Sequence, residues 1–316
     1  MPRALQRIAI VGAGAIGSYY GARLALAGVE VRFLVRRDLV HVQDHGLILR
    51  ERDATRRLEH VDAFATTAEI GPVDLVFVTL KTTSNSALAT LLPPLIRPET
   101  AVVTLQNGLG NEETIAALVG AGRVLGGLCF IAVTREAPGE LSGYHTPGAI
   151  TLGEFGRPAS ERTQAIAGLL QRAGVNCRTV DSLAAARWQK LIWNVPFNGL
   201  AIAAGGITTD RILDDPVLAR EVRALMNEVA AAARHFGHEV TEAFIQSQID
   251  VTPPMGAYQP SSLVDYRAGR PVEVEAIWGE PLRRAQAAGL AVPRLQELHA
   301  RLVGLTKVGD ARDRTG

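Results

Sequence analysis

The chain has 316 residues, 47% of them hydrophobic, with 33 Lys+Arg against 32 Asp+Glu and a formal net charge of +1. That length and apolar content suffice for two ordinary domains with sizeable cores and exclude extended disorder. The balanced charge supplies no field to attract nucleic acid or an anionic membrane, so the expected partners are small molecules. The two cysteines, Cys129 and Cys177, lie in apolar or strand-like runs and suit reduced core thiols of a cytoplasmic protein. The seven His are scattered, and the close pairs His41/His45 and His235/His238 lack a third ligand nearby, so no metal site is expected. Arg3 and Arg7 lead directly into a short strand without a signal-peptide pattern, and no apolar run reaches the length of a membrane span.

Residues 7–11 form a short apolar strand that runs into Gly12-Ala13-Gly14-Ala15-Ile16-Gly17, followed by a helix over 18–27 and a second strand over 29–35. In this context each glycine has a mechanical reason to be there. Gly12 makes the tight turn, Gly14 lets a pyrophosphate approach the backbone, and Gly17 lets helix and strand pack closely. The N–H groups at the start of the helix, from Ala15 and Ile16 onward, then face the phosphates. A dinucleotide-binding unit is the expectation. Where the second strand ends, the chain reads Arg36-Arg37, with Glu30 at the strand's start and Asp38 beyond the arginines as the only nearby acids. A guanidinium there fits the 2′-phosphate of NADP(H) better than the 2′-hydroxyl of NAD, and one of the two arginines is expected to be a plain solvated charge.

A charged, hairpin-like region follows over 47–61. Residues 73–80 read as a buried parallel strand ending at Lys81, and 101–106 as another ending at Asn107-Gly108. Ligands of doubly wound sheets collect at the carboxyl ends of strands, which places Lys81 and Asn107 where a nicotinamide and its substrate would lie; Asn107-Gly108 also suits an ordinary turn. Further strands are expected over 125–133, 150–155 and 177–180, with a loop over 136–148 and a helix over 160–173. From 184 the pattern becomes helical, over 184–200, 216–236, 241–249, 282–288 and 294–306, with a turn at 268–271 that precedes a helix carrying Glu273 near its start. The expected fold is α/β: an N-terminal Rossmann-type domain over 1–183, an all-helical domain over 184–306, and a frayed tail over 307–316.

On the helix beginning at 184, Lys190, Asn194 and Asn198 are spaced to form one polar stripe among Trp, Leu, Ile and Phe. The stripe reads either as a solvated helix edge or as a catalytic face turned into an interdomain cleft. Taken with the other motifs, the chain resembles the ketopantoate reductase (2-dehydropantoate 2-reductase) family over nearly its whole length. The motifs are the glycine loop, Arg36, Leu80-Lys81, Gln106-Asn107-Gly108, Trp188-Gln189-Lys190-Leu191-Ile192-Trp193-Asn194, and Ser261 through Asp265 to Gly269-Arg270-Pro271-Val272-Glu273.

The resemblance implies that Lys190 is the general acid and Glu273 a carboxylate that interacts with substrate. It implies that Asn107 and Lys81 bind cofactor and substrate near the nicotinamide, that Asn194 and Asn198 contact the substrate, and that Ser261 contacts its carboxylate. It further implies NADPH-dependent reduction of ketopantoate to (R)-pantoate. Val195-Pro196-Phe197 departs from the Ile-Asn-Pro of well-known members, and Ser262 stands where Met is common. A paralogue acting on another branched 2-keto acid shares the same expectations, because a fold does not fix a substrate. A non-catalytic NADP(H)-binding regulator fits less well, because Lys190 and Glu273 are both present. The sequence leaves the oligomeric state open, a homodimer included.

Overall fold

The structure is a computed structural model that describes residues 5–143 and 147–312. Arg3, part of the expected loop over 136–148, and the last four residues of the expected tail lie outside the described residues. The chain forms two compact units. One comprises the residues up to Gln106 together with Asn111–Leu183, and the other comprises Asn107–Gly110 together with everything from Ala184 on.

Among the described residues twelve strands make up the two sheets of the first unit: β1 (Arg7–Val11), β2 (Glu30–Leu34), β3 (Leu47–Arg50), β4 (Thr55–Leu58), β5 (Asp62–Phe64), β6 (Leu75–Val78), β7 (Ala101–Thr104), β8 (Val124–Phe130), β9 (Val133–Ala137), β10 (Glu140–Gly143), β11 (Ala149–Glu154) and β12 (Asn176–Val180). The large sheet has the order β12-β11-β8-β7-β6-β1-β2-β5. All its pairings are parallel except that of β8 with β11. β6 and β7 are buried at every residue, which is why they read as unbroken apolar runs and not as alternating ones. The strand order reverses at β1, which has β2 on one side and β6 on the other, and this switch point is where a doubly wound sheet opens a crevice.

The small sheet has the order β4-β3-β10-β9. Its β3/β4 hairpin is the charged one expected from the sequence. Much of the region read as a loop over 136–148 is instead strand, because β9 turns through Gly139 (φ +72°) into β10, which pairs in parallel with β3. The partner strand is some ninety residues distant in sequence, so no local pattern announces it. Glu51 joins this sheet's hairpin to the first helix (Ala15–Leu26), accepting from Tyr19 Oη and Arg23 Nη1 at 2.5 Å each.

The second unit is helical: Leu183–Ala203, Thr209–Asp214, Pro216–His235, Glu242–Asp250, Ser261–Arg267, a π-helical turn Glu275–Gly279 continuing into Glu280–Ala287, and Pro293–Arg312. Its core gathers Ile192, Val195, Phe197, Met226, Trp278 and Leu298. Pro196 lies inside the longest of these helices without ending it. The missing N–H and ring crowding cost about 3 kcal/mol, and burial of three neighbouring apolar side chains at roughly 1.5–3 kcal/mol each offsets that. The helices Thr209–Asp214 and Ser261–Arg267 were not expected, since two turns or fewer leave little periodicity to read. Among the described residues no helix is long and apolar enough to cross a membrane, and no three His, Cys, Asp or Glu gather as metal ligands.

The end of β11 is pinned to the following helix (Glu161–Arg172) by Glu154, whose side chain is fully buried. It accepts hydrogen bonds from Ser160 Oγ (2.6 Å), Thr163 Oγ1 (2.7 Å), Arg162 Nε (2.9 Å) and Arg157 Nη2 (3.1 Å). Burial alone pushes the carboxyl up, but the bonds from Arg162, Ser160 and Thr163 and the charge of Arg162 outweigh it and hold the group at about 2. A folded value below the unfolded one gives stability that is present above about pH 4.5 and is lost as pH falls toward 2, on the order of 3 kcal/mol in all. Urea unfolding of the wild type and Glu154→Gln should therefore show a stability gap that is widest near pH 7 and narrows steadily toward acid. A gap that does not change with pH contradicts this account of the cluster.

Candidate active site

In the first unit the glycine loop is shaped by what surrounds it. Gly12 has φ +111°, and a Cβ there would lie 2.7 Å from the Leu80 amide nitrogen. A Cβ on Gly17 would lie 2.2 Å from the Gly12 carbonyl oxygen and 2.4 Å from Thr79 Oγ1. Thr79, which no sequence pattern singled out, donates from that hydroxyl to the Gly12 carbonyl at 2.6 Å and so ties the loop to the end of β6. Gly14 caps the helix Ala15–Leu26 and has open space where its side chain would be, so that backbone can meet a ligand's phosphates. The first N–H groups of the helix, those of Ala15, Ile16 and Gly17, have no partner within it. A pyrophosphate fits this loop on all three counts.

Arg36 lies exposed directly after β2, with Arg37 beside it. The two nearby acids are both engaged, Glu30 with Arg7 (2.7 Å) and Arg32 (2.8 Å), and Asp38 with Arg135. Lys81 is exposed immediately after β6, where the chain turns into a 3-10 helix, Thr82–Ala87. The ends of β6 and β7 are laced together by Gln106, which donates to the Leu80 carbonyl (2.8 Å) and Asn85 Oδ1 (2.7 Å) and accepts from Thr104 Oγ1 (3.0 Å).

The second unit holds Asn107, Lys190, Asn194, Asn198, Ser261 and Glu273. Gly108 has φ +85°, and its missing Cβ would sit 2.2 Å from the Ala276 carbonyl oxygen. That same oxygen accepts from the Leu109 N–H at 2.9 Å. This close docking fixes Asn107 so that its Oδ1 accepts from Lys190 Nζ at 2.9 Å. The long lysine stem is thereby held at its tip.

Asn194 and Asn198, one and two turns on from Lys190, are both buried, Asn198 at 2% exposure. Asn198 Oδ1 accepts from the Ser262 N–H at 3.0 Å, which fixes the orientation of its amide. The serine buried against Asn198 is therefore Ser262; Ser261, the one expected to contact a carboxylate, is exposed at the start of the helix Ser261–Arg267. Asp265 accepts from Arg270 Nε (3.0 Å) and from its backbone N–H, closing the turn around Gly269 (φ +65°) that leads to Pro271-Val272-Glu273. Glu273 directly precedes the helical turns that follow it and is 5% exposed.

The fold is that of a Rossmann-type oxidoreductase. The family model described as ketopantoate reductase PanE/ApbA matches residues 8–157, and its C-terminal counterpart matches residues 182–305. The chain belongs to the ketopantoate reductase family. It is 39% identical to a 2-dehydropantoate 2-reductase of Nostoc sp., over 98% of this chain and 97% of that one. A crystal structure of 2-dehydropantoate 2-reductase from Geobacter metallireducens is similar at 42% identity and TM-score 0.92, covering 94% of this chain and 99% of that one. Another, from Methylococcus capsulatus, is similar at 32% identity and TM-score 0.87, with 96% and 97% covered.

Gly108→Ala tests the docking that positions Asn107. Positive φ and contact with a backbone carbonyl should cost about 1–3 kcal/mol of stability. Displacing Asn107 should also lower turnover by about tenfold or more in protein that remains folded, because small misplacements at a reacting centre are costly. Wild-type turnover in a folded Gly108→Ala variant contradicts this role for the contact.

Proposed function

We propose that this protein is an NADPH-dependent reductase that converts ketopantoate (2-dehydropantoate) to (R)-pantoate in pantothenate biosynthesis. The observation that carries the reading is the 2.9 Å hydrogen bond from Lys190 Nζ to Asn107 Oδ1, which holds an ammonium on the polar stripe that continues through Asn194 and Asn198. Reduction of a ketone places negative charge on its oxygen, and a pre-positioned ammonium stabilises that charge more in the transition state than in the ground state. Lys190 then delivers the proton to that oxygen and is reprotonated from solvent.

Asn194 and Asn198 hold the polar groups of a small 2-keto acid, and the Ser261/Ser262 pair, on the helix tied to Asn198, meets its carboxylate. Glu273 interacts with the substrate and orients it. NADPH, when bound, supplies the hydride. In the first unit the glycine loop with Ala15, Ile16 and Gly17 receives the pyrophosphate, Arg36 meets the 2′-phosphate, and Lys81 serves the nicotinamide end; Asn107, of the second unit, serves that end too. The engagement of Glu30 and Asp38 with other arginines supports NADPH over NADH.

Two measurements test the reading. With NADPH present, ketopantoate should give a higher kcat/KM than other branched 2-keto acids; a clear preference for one of those makes the enzyme a paralogue with another substrate. Arg36→Glu should weaken NADPH about tenfold or more while affecting NADH much less, since charge-assisted phosphate bonds are worth roughly 1.5–3 kcal/mol. Equal weakening of both cofactors would sink the assignment of Arg36 to the 2′-phosphate.

A further inference from the structure

Asp38 poses a problem for an enzyme that takes NADPH. It lies two residues beyond Arg36, past the end of β2, and a carboxylate near a 2′-phosphate repels it. In the structure, Asp38 Oδ2 is engaged by Arg135 Nη2, which reaches it from β9 of the small sheet, 97 residues further along the chain. Asp38 and Arg135 line one small crevice with Ala13, Ser18, Phe33 and Val35. The pair therefore borders both the glycine loop and the end of β2. Its side chains are 18% and 37% exposed, and partly exposed pairs of this kind contribute little to stability. Arg36 and Arg37 carry no ion pair of their own among the described residues.

We propose that Arg135 is a specificity-determining residue for the cofactor. By pairing with Asp38 it cancels the carboxylate that stands two residues from Arg36, so that a 2′-phosphate is accepted beside that arginine. This rests on the NADPH reading above. Without Arg135, Asp38 stands as an uncompensated charge on a partly exposed edge, where the effective dielectric is well below that of water and repulsion acts across several ångströms. NADH, which carries a hydroxyl in place of the phosphate, feels no such penalty.

The test is a double-mutant cycle on cofactor binding, with the dissociation constants of NADPH and NADH measured at low salt for the wild type, Arg135→Ala, Asp38→Asn and the double variant. Asparagine keeps the shape of Asp38 and suits its place before the helix Leu39–His45. Arg135→Ala should weaken NADPH roughly fivefold or more and NADH less than about twofold. In the Asp38→Asn background the same change should have no further effect, a rescue that a merely structural role for Arg135 cannot produce. If the double variant binds NADPH as poorly as Arg135→Ala, Arg135 is itself a phosphate ligand and the neutralisation is wrong. Equal weakening of both cofactors makes Arg135 a brace between sheets and overturns the proposal. A wild type that binds NADH as tightly as NADPH overturns the cofactor reading itself, a failure distinct from the other two.

Discussion

The close approach of Gly108 to the Ala276 carbonyl is the constraint on which the candidate active site depends. A glycine in the left-handed region, with no Cβ to collide, lets the strip Asn107–Gly110 lie flat against the turn that opens the helical run at Glu275. The Leu109 N–H to Ala276 oxygen bond then holds it there. From that single docking follow the position of Asn107, the direction of the Lys190 ammonium, and the grouping of these four residues with the helical unit although they follow β7 in the chain. A side chain at Gly108 would cost little in apolar burial. Its penalty falls on geometry, and geometry is what proton transfer requires.

Buried polar groups in this chain divide into two kinds. Glu154 and Glu51 are surrounded by donors, each taking several hydrogen bonds from Arg, Tyr, Ser or Thr, and each fastens one element to the next. Such saturation explains why the Glu154 carboxyl sits far below its ordinary value, and it makes these groups poor candidates for chemistry at neutral pH. The stripe through Lys190, Asn194 and Asn198 is different in kind. It combines an ammonium with neutral amides, the mixture suited to a carbonyl oxygen that becomes charged and then protonated.

Much of the first unit was legible because its signals are local. The glycine loop and the unbroken apolar runs of β6 and β7 each lie within a few residues, and the strand–loop–helix context gives each glycine a reason. What stayed hidden depends on partners far away in sequence. The sequence offers only a loop over β10 and the end of β9 because β10 pairs with the distant β3, and nothing in an apolar strand announces the Thr79 hydroxyl bonded to the Gly12 carbonyl. In the second unit the helical period placed Lys190, Asn194 and Asn198 on one face. It gives no sign of the bond from the Ser262 N–H to Asn198, because that bond joins residues 64 apart in the chain.

The central claim is that the ammonium held by Asn107 is the proton donor, and Lys190→Ala tests it most directly. Truncating a half-buried lysine to a strong helix former leaves the core intact, and the glycine loop belongs to the other unit. The variant should therefore fold and bind NADPH as the wild type does, while kcat for ketopantoate falls by about two orders of magnitude or more. The neighbouring asparagines are far too weak as acids to take over. A variant that folds, binds the cofactor and keeps nearly full kcat would contradict the account, leaving Lys190 as no more than a wall of the site.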